Sequence, residues 1–80
     1  MNYEEQSLIS GLEEYIYDAE IANFRLAARI SLFLDDKENF RSRNAREFLK
    51  NALDFSNQCD DKFRAIRRKL QILLSEERCL

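Results

Sequence analysis

The feature that most limits what this chain can fold into is its near absence of helix-breaking residues. The 80 residues include no proline and a single glycine, Gly11. Apolar residues recur at intervals of three and four almost throughout, which is the spacing of one face of an α-helix. Because proline and glycine mark most turns, their scarcity predicts a small number of long helices. We therefore expect an all-α protein.

The first periodic segment predicts an amphipathic helix over residues 3–34. Asn2 followed by Glu5 has the pattern of a capping box, and Ser10 with Glu13 offers a second start near Gly11. When each residue is given 100° around a helix axis, ten apolar residues fall in one sector. This predicted core stripe of the first helix consists of Leu8, Leu12, Tyr15, Ile16, Ala19, Ala22, Leu26, Ile30, Phe33 and Leu34.

The polar run at residues 35–39 predicts a turn, with Asp35 and Glu38 spaced as a further capping box. A second helix is predicted over residues 38–77. The stretch 57–61 contains residue types that favour helix caps over helix interiors, but the apolar stripe keeps its phase across it. We therefore favour one continuous helix, and a break at 57–61 that gives a three-helix bundle is the alternative. The predicted core stripe of the second helix consists of Ala45, Phe48, Ala52, Phe55, Cys59, Phe63, Ile66, Leu70 and Leu73.

The short turn predicts that the two helices form an antiparallel hairpin, which we treat as a single domain over residues 1–80. The charge distribution favours this pairing. Residues 1–36 hold eight acids and two bases, a net charge of −6, whereas residues 37–80 hold seven acids and eleven bases, a net charge of +4. A hairpin of two helices leaves one side of each stripe uncovered. The sequence therefore predicts that a second copy or another protein completes a helical bundle.

A second apolar row on the first helix is the most suggestive feature for function. Its residues lie nearly opposite the core stripe, and a helix that is apolar on two sides is normally covered on both. Tyrosine and phenylalanine are frequent anchors in protein interfaces. We interpret the row as a surface for a helix or groove of another protein, and its alternative role is burial inside a dimer or a three-helix core. The predicted partner-binding residues are Tyr17, Ile21, Phe24, Ala28 and Leu32, with Leu49 and Leu53 extending the surface from the second helix.

Three further residues invite a structural interpretation. Asn23 lies inside the core stripe of the first helix, where a buried amide can fix helix register, although an edge position in contact with water fits equally well. Cys59 occupies a core position of the second helix and is expected to behave as a small apolar residue. Two cysteines are too few for a disulfide framework, so we expect Cys59 and Cys79 to be reduced, with no role for Cys79.

Nucleic-acid binding is the principal alternative function. Five bases of the second helix share a sector and form a stripe that could follow phosphates. The net charge of −2 and the lack of a nucleic-acid-binding motif argue against this alternative, because such a stripe is ordinarily a solvated face. The residues of this basic stripe are Arg43, Arg46, Lys50, Arg64 and Arg68.

Other functional classes find no support in the sequence. The chain has no histidine, which removes the usual proton shuttle and the commonest metal ligand. Adjacent carboxylates such as Glu13 and Glu14 diverge by about 100° on a helix and do not form an acid–base pair. We expect no enzyme activity, cofactor, small-molecule substrate or membrane association. The N-terminal residues lack the pattern of a signal peptide and no apolar run is long enough to cross a membrane, so a cytoplasmic location is expected.

The combined prediction is a small cytoplasmic protein whose function is to bind another protein. It would act as an adaptor, a co-chaperone or an inhibitor of a larger protein. The expected mechanism is packing of the second apolar row of the first helix against a partner helix or groove.

Overall fold

The computed structural model describes residues 1–78, and it describes side chains for residues 1–76. Two α-helices make up the structure: α1 spans Tyr3–Asp35 and α2 spans Arg43–Arg78. They pack side by side as an antiparallel hairpin measuring 59 × 14 × 14 Å. The predicted all-α hairpin is confirmed. Residues 57–61 lie within α2, so the alternative break into a third helix is not present.

The start of α1 follows the sequence prediction. Asn2 is the N-cap, and its Oδ1 accepts a hydrogen bond of 2.8 Å from the backbone N–H of Glu5. Glu4 and Glu5 lie in the first turn, where acidic side chains interact favourably with the positive end of the helix dipole. The helix continues through Gly11, so the second capping pattern at Ser10 does not start a helix.

The connection between the helices is longer than the sequence suggested. α2 begins at Arg43, five residues later than predicted, and the expected box of Asp35 and Glu38 is not used. Instead the Asp36 carboxylate accepts a hydrogen bond of 3.1 Å from the Asn39 N–H. Ser42 then receives bonds from the first turn of α2. Several residues in this segment can cap a helix, and spacing alone did not select the pair that the folded turn uses.

We define the seam as the buried and half-buried positions through which α1 and α2 face each other. These positions recur at alternating intervals of three and four residues. This is the spacing of a coiled coil. Ile30 and Leu74 are the buried hydrophobic residues among those described, and Ser56 is a buried polar one. The seam consists of Gln6, Ile9, Glu13, Ile16, Glu20, Asn23, Ala27, Ile30 and Leu34 of α1 and Arg46, Leu49, Leu53, Ser56, Asp60, Phe63, Arg67, Leu70 and Leu74 of α2.

The seam coincides only partly with the predicted core stripes, and this corrects the sequence interpretation. Each helix is rotated relative to the expectation, so that nine large members of the stripes lie exposed beside the seam. The apolar sector of each helix is wider than one neighbouring helix can cover, and the sequence did not indicate which part of it would face the other helix. The exposed members are Leu8, Leu12, Tyr15, Leu26, Phe33, Phe48, Phe55, Ile66 and Leu73.

Candidate interaction surfaces

One side of the hairpin is an apolar surface to which both helices contribute, and we call it the two-helix face. It contains the nine exposed stripe residues given above. Smaller residues lie among them, including Ala19 and Ala22 of α1 and Ala52 and Cys59 of α2. Phe48 and Phe55 are 74% and 68% exposed. Exposed apolar surface of this extent is unusual on a monomeric protein and commonly marks an interaction site.

A groove of ≈ 540 Å³ runs along the loop-proximal half of the two-helix face. Leu26 forms one wall, and the aromatic rings of Phe48 and Phe55 lie on the α2 side. Near the loop, the rings of Phe33 and Phe40 pack with centroids 5.8 Å apart at an angle of 47°. The loop thus supplies an aromatic contact at the end of the surface, while the groove beside it remains open.

The floor of this groove is set by a polar contact that fixes the helix register. Asn23 Nδ2 donates a hydrogen bond of 2.8 Å to the carbonyl oxygen of Ser56, and Ser56 Oγ donates one of 2.8 Å to Asn23 Oδ1. Both residues lie in the seam, so a shift of one helix along the other would leave these groups without partners. The sequence identified Asn23 as a candidate for this role but not Ser56, whose pairing requires knowledge of the register.

Charged groups reinforce the same register nearer the open end of the hairpin. Arg67 Nη1 lies 3.3 Å from Glu20 Oε2, and the two side chains are 30% and 12% exposed. Gln71 Nε2 donates a hydrogen bond of 3.0 Å to Glu13 Oε1. The other carboxylate oxygen of Glu20, Oε1, is buried without a hydrogen-bond partner. The charge distribution predicted that acids of the first helix pair with bases of the second. The ion pair of Glu20 and Arg67 is such a contact.

The second apolar row of α1, which we call the α1 ridge, lies on the opposite side of the hairpin from the two-helix face. Phe24 is 73% exposed, and Tyr17, Ile21 and Leu32 are also exposed, as is Ala28. Phe24 borders a shallow cleft that Arg64 lines from α2. The guanidinium carbon of Arg67 lies 5.9 Å from the centre of the Tyr17 ring, a distance typical of a cation–π contact.

The two α2 residues that were expected to extend this ridge lie elsewhere. Leu49 and Leu53 are half-buried seam positions, so they face α1 and do not add to the exposed ridge. The ridge that the hairpin offers to a partner is therefore formed by α1 alone. The role of its residues in binding stays a prediction.

Three of the five residues in the basic stripe make contacts within the chain. Arg43 pairs with Glu47 at 3.5 Å, and Arg64 pairs with Asp60 at 3.1 Å. The half-buried Arg46 donates hydrogen bonds of 2.9 and 2.6 Å to the carbonyl oxygens of Phe40 and Leu34, which ties the start of α2 to the end of α1. Lys50 and Arg68 are exposed on the same helix. Arg46 thus serves the fold, whereas the pairs of Arg43 and Arg64 are surface pairs within one helix and contribute little to it. Binding of phosphates by the stripe stays a prediction.

No group of three or more cysteine and acidic side chains within residues 1–76 has the arrangement needed to hold a metal ion. Over their described lengths, neither α1 nor α2 has a segment that is both long enough and apolar enough to cross a membrane. Cys59 is a half-buried free thiol that lines the groove, and Cys79 lies outside the described residues.

The chain was also compared with known protein families, with characterised proteins and with solved structures, and no match was found. The distinguishing features of the molecule are its two exposed apolar surfaces and the seam between the helices. These define the molecule as a helical hairpin whose apolar residues lie largely outside its own interhelix contact.

Proposed function

We propose that this protein is a non-enzymatic interaction module that binds another protein through the α1 ridge, as an adaptor, a co-chaperone or an inhibitor in the cytoplasm. The supporting observation is that the ridge remains exposed after the hairpin has formed. Tyr17, Phe24 and Leu32 are each more than half exposed. Side chains of this kind, spaced three and four residues apart, anchor a helix in the groove or on the helix of a partner.

The contacts around the ridge indicate which part of it a partner would use. Arg64 is paired with Asp60, and Arg67 is paired with Glu20 and lies over Tyr17. Since these nearby bases already have acidic partners, apolar side chains are what the surface offers. Burial of a phenylalanine contributes about 1.5–3 kcal/mol, so Phe24 and its neighbour Ile21 are the expected centre of the interface.

The test is a double substitution in the ridge, Ile21→Asp with Phe24→Asp, compared with Arg25→Asp on the same helix. Tagged full-length proteins are used to isolate partners from cells that express the chain naturally, and each captured protein is identified and purified. We expect wild type and the Arg25 variant to bind the same protein. The ridge variant should bind it at least about 100-fold more weakly, because two central anchors are replaced by charges.

Two controls make the result decisive. Circular dichroism should show that the ridge variant keeps its helices, since loss of helicity would mean that the ridge is part of the core. Affinity is also measured between about 50 and 200 mM salt, where binding to nucleic acid falls steeply and apolar docking changes little. Equal partner binding by wild type and the folded ridge variant would contradict the proposed function, as would a captured ligand that is nucleic acid with steep salt dependence.

A further inference from the structure

The two-helix face is much larger than the α1 ridge, and the hairpin exposes more surface than a monomer of its size normally does. Its accessible surface is 6717 Å², whereas a folded monomer of 9.6 kDa is expected to expose about 5,100 Å². The radius of gyration is 17.9 Å, against about 12 Å for a compact domain of this length. The hairpin therefore lacks a partner layer on at least one side.

We propose that the two-helix face is covered by a second copy of this chain, which produces a four-helix bundle. A compact particle of twice the mass would expose about 8,400 Å². Pairing two hairpins would then bury at most about 5,000 Å², since a bundle 59 Å long stays less compact than a globular particle. Half of this area already lies in the range of permanent homodimers, about 2,000 Å² or more. A single foreign helix would fill only the groove between α1 and α2, whereas a second hairpin matches the apolar stripes of both helices.

The positions of the apolar residues fit a bundle better than an isolated pair of helices. In a four-helix bundle each helix contacts two neighbours, so its apolar sector must be wider than that of a two-stranded coiled coil. Here one row of each helix lies in the seam and the next row lies on the two-helix face. In α1, Ile16 and Ile30 alternate with Leu12 and Leu26 in this way. With two such rows on each helix, the apolar core of the dimer would lie between the two hairpins.

Charge complementarity selects the orientation of the second copy. Residues 1–36 carry a net charge of −6 and residues 37–80 a net charge of +4. If α1 of each chain lies against α2 of the other, acidic and basic helices alternate around the bundle and both loops lie at the same end. The opposite orientation would place the two acidic helices side by side. The proposed dimer therefore has its loops together.

Two phenylalanines on opposite sides of the hairpin provide a matched test. Phe55 lies on the two-helix face and is 68% exposed, while Phe24 lies on the α1 ridge and is 73% exposed. Sedimentation of the reduced full-length chain is measured from about 1 to 100 µM. We expect a dimer of twice 9.6 kDa, retained by Phe24→Asp and converted to monomer by Phe55→Asp. A wild type that is monomeric throughout, or dissociation by Phe24→Asp alone, would overturn the proposal and leave the face to a different protein.

Cys59 offers a test that leaves the surface intact. In a Cys79→Ser background, Cys59 is the remaining thiol, and it lines the groove that the second copy would cover. Its rate of alkylation should fall about tenfold as the dimer reaches about 90% of the population, because only the monomer then reacts. A rate that does not change across the same concentrations would contradict the proposal, even if the Phe55 variant failed to fold.

The orientation is tested with a spin label at the loop, introduced by Lys37→Cys in a background of Cys59→Ala and Cys79→Ser. Loops at the same end should bring the two labels within about 30 Å, because neighbouring helices lie about 10 Å apart. Labels separated by nearly the 59 Å length of the hairpin would overturn the proposed orientation. These outcomes are independent of partner binding, since the ridge and the two-helix face use different residues.

Discussion

The seam between α1 and α2 and the two-helix face beside it differ in a way that is unusual for a folded protein. The seam is rich in polar groups: Asn23 bonds to Ser56, and Glu20 pairs with Arg67. The two-helix face, in contrast, is exposed and consists largely of aromatic and aliphatic residues. Most proteins place their apolar residues at the inner contact and their polar residues outside.

This comparison indicates that the two regions have different roles. Hydrogen bonds and ion pairs in the seam are directional and are costly to leave unmade, so they specify one register for the hairpin. Apolar burial is not directional and grows with the area removed from water. Most of the apolar area that could still be removed from water lies on the two-helix face, and only association with another chain can bury it.

The largest expected effect of a single substitution in the hairpin comes from truncating an apolar side chain of the seam. This substitution tests whether the few apolar contacts there hold the two helices together. Ile30 is 6% exposed in the seam, and Leu32, two residues further along α1, is 63% exposed. Ile30→Ala should lower the free energy of unfolding by about 2–4 kcal/mol, because it leaves a cavity. Leu32→Ala should change it by about 0.5 kcal/mol or less. Urea denaturation at one fixed protein concentration measures both.

Equal losses from the two substitutions would break the comparison, because they would mean that the apolar seam contacts contribute no more than an exposed side chain. A larger loss from Leu32→Ala would show instead that the α1 ridge is covered in the folded protein.

A smaller effect is expected from the polar part of the seam. Ser56→Ala removes the donor to Asn23 Oδ1 and should cost about 1–2 kcal/mol, since the amide oxygen is left without its partner. In Ser56→Ala combined with Asn23→Leu, the loss should be less than the combined losses of the single variants, with a coupling of at least about 0.5 kcal/mol. Ser31→Ala, at a half-buried serine of α1, is the control. Strict additivity would show that the two residues do not act as a pair.

The sequence was sufficient for those features that depend on local residue patterns. The Asn2 cap, the continuity of α2 through residues 57–61 and the hairpin itself were all predicted. Each rests on neighbours within one or two turns of helix or on the near absence of helix-breaking residues. The α1 ridge was recognised as an apolar row opposite the main stripe, but its burial or exposure was left open. Leu49 and Leu53, which were expected to extend it, are half-buried in the seam.

The rotation of each helix depends on contacts distant in sequence and was not predicted. The apolar sector is wide, and its residues alone do not indicate which rotation brings hydrogen-bonding groups such as Asn23 and Ser56 opposite each other. Ser56 resembles other polar residues of α2 until its opposite position, Asn23, is known. The late start of α2 has a similar cause, since Arg46 donates hydrogen bonds to the carbonyl oxygens of Phe40 in the loop and of Leu34 in α1, and these bonds hold the segment that precedes α2.

The smallest expected effect concerns the contact between Asp36 and Asn39 in the turn that connects the two helices. The Asp36 carboxylate accepts hydrogen bonds from the backbone N–H and from the side chain of Asn39. Both bonds, the backbone one more strongly, lower the pKa of Asp36 below 3.8, its value in an unfolded chain. The corresponding stability is fully present above that unfolded-state value and is lost as the pH falls through the lower folded-state pKa. Asp36→Asn should therefore lose less stability than wild type as the pH falls from about 5 to 2.

Denaturant midpoints across this pH range measure the difference, with Asp61→Asn as a control for the change in net charge. Because Asp36 is fully exposed, the difference should be small beside the losses expected in the seam. Parallel curves for wild type and the Asp36 variant would mean that the ionised carboxylate does not stabilise the turn. A difference larger than the loss caused by Ile30→Ala would mean that the turn, more than the seam, holds the hairpin together.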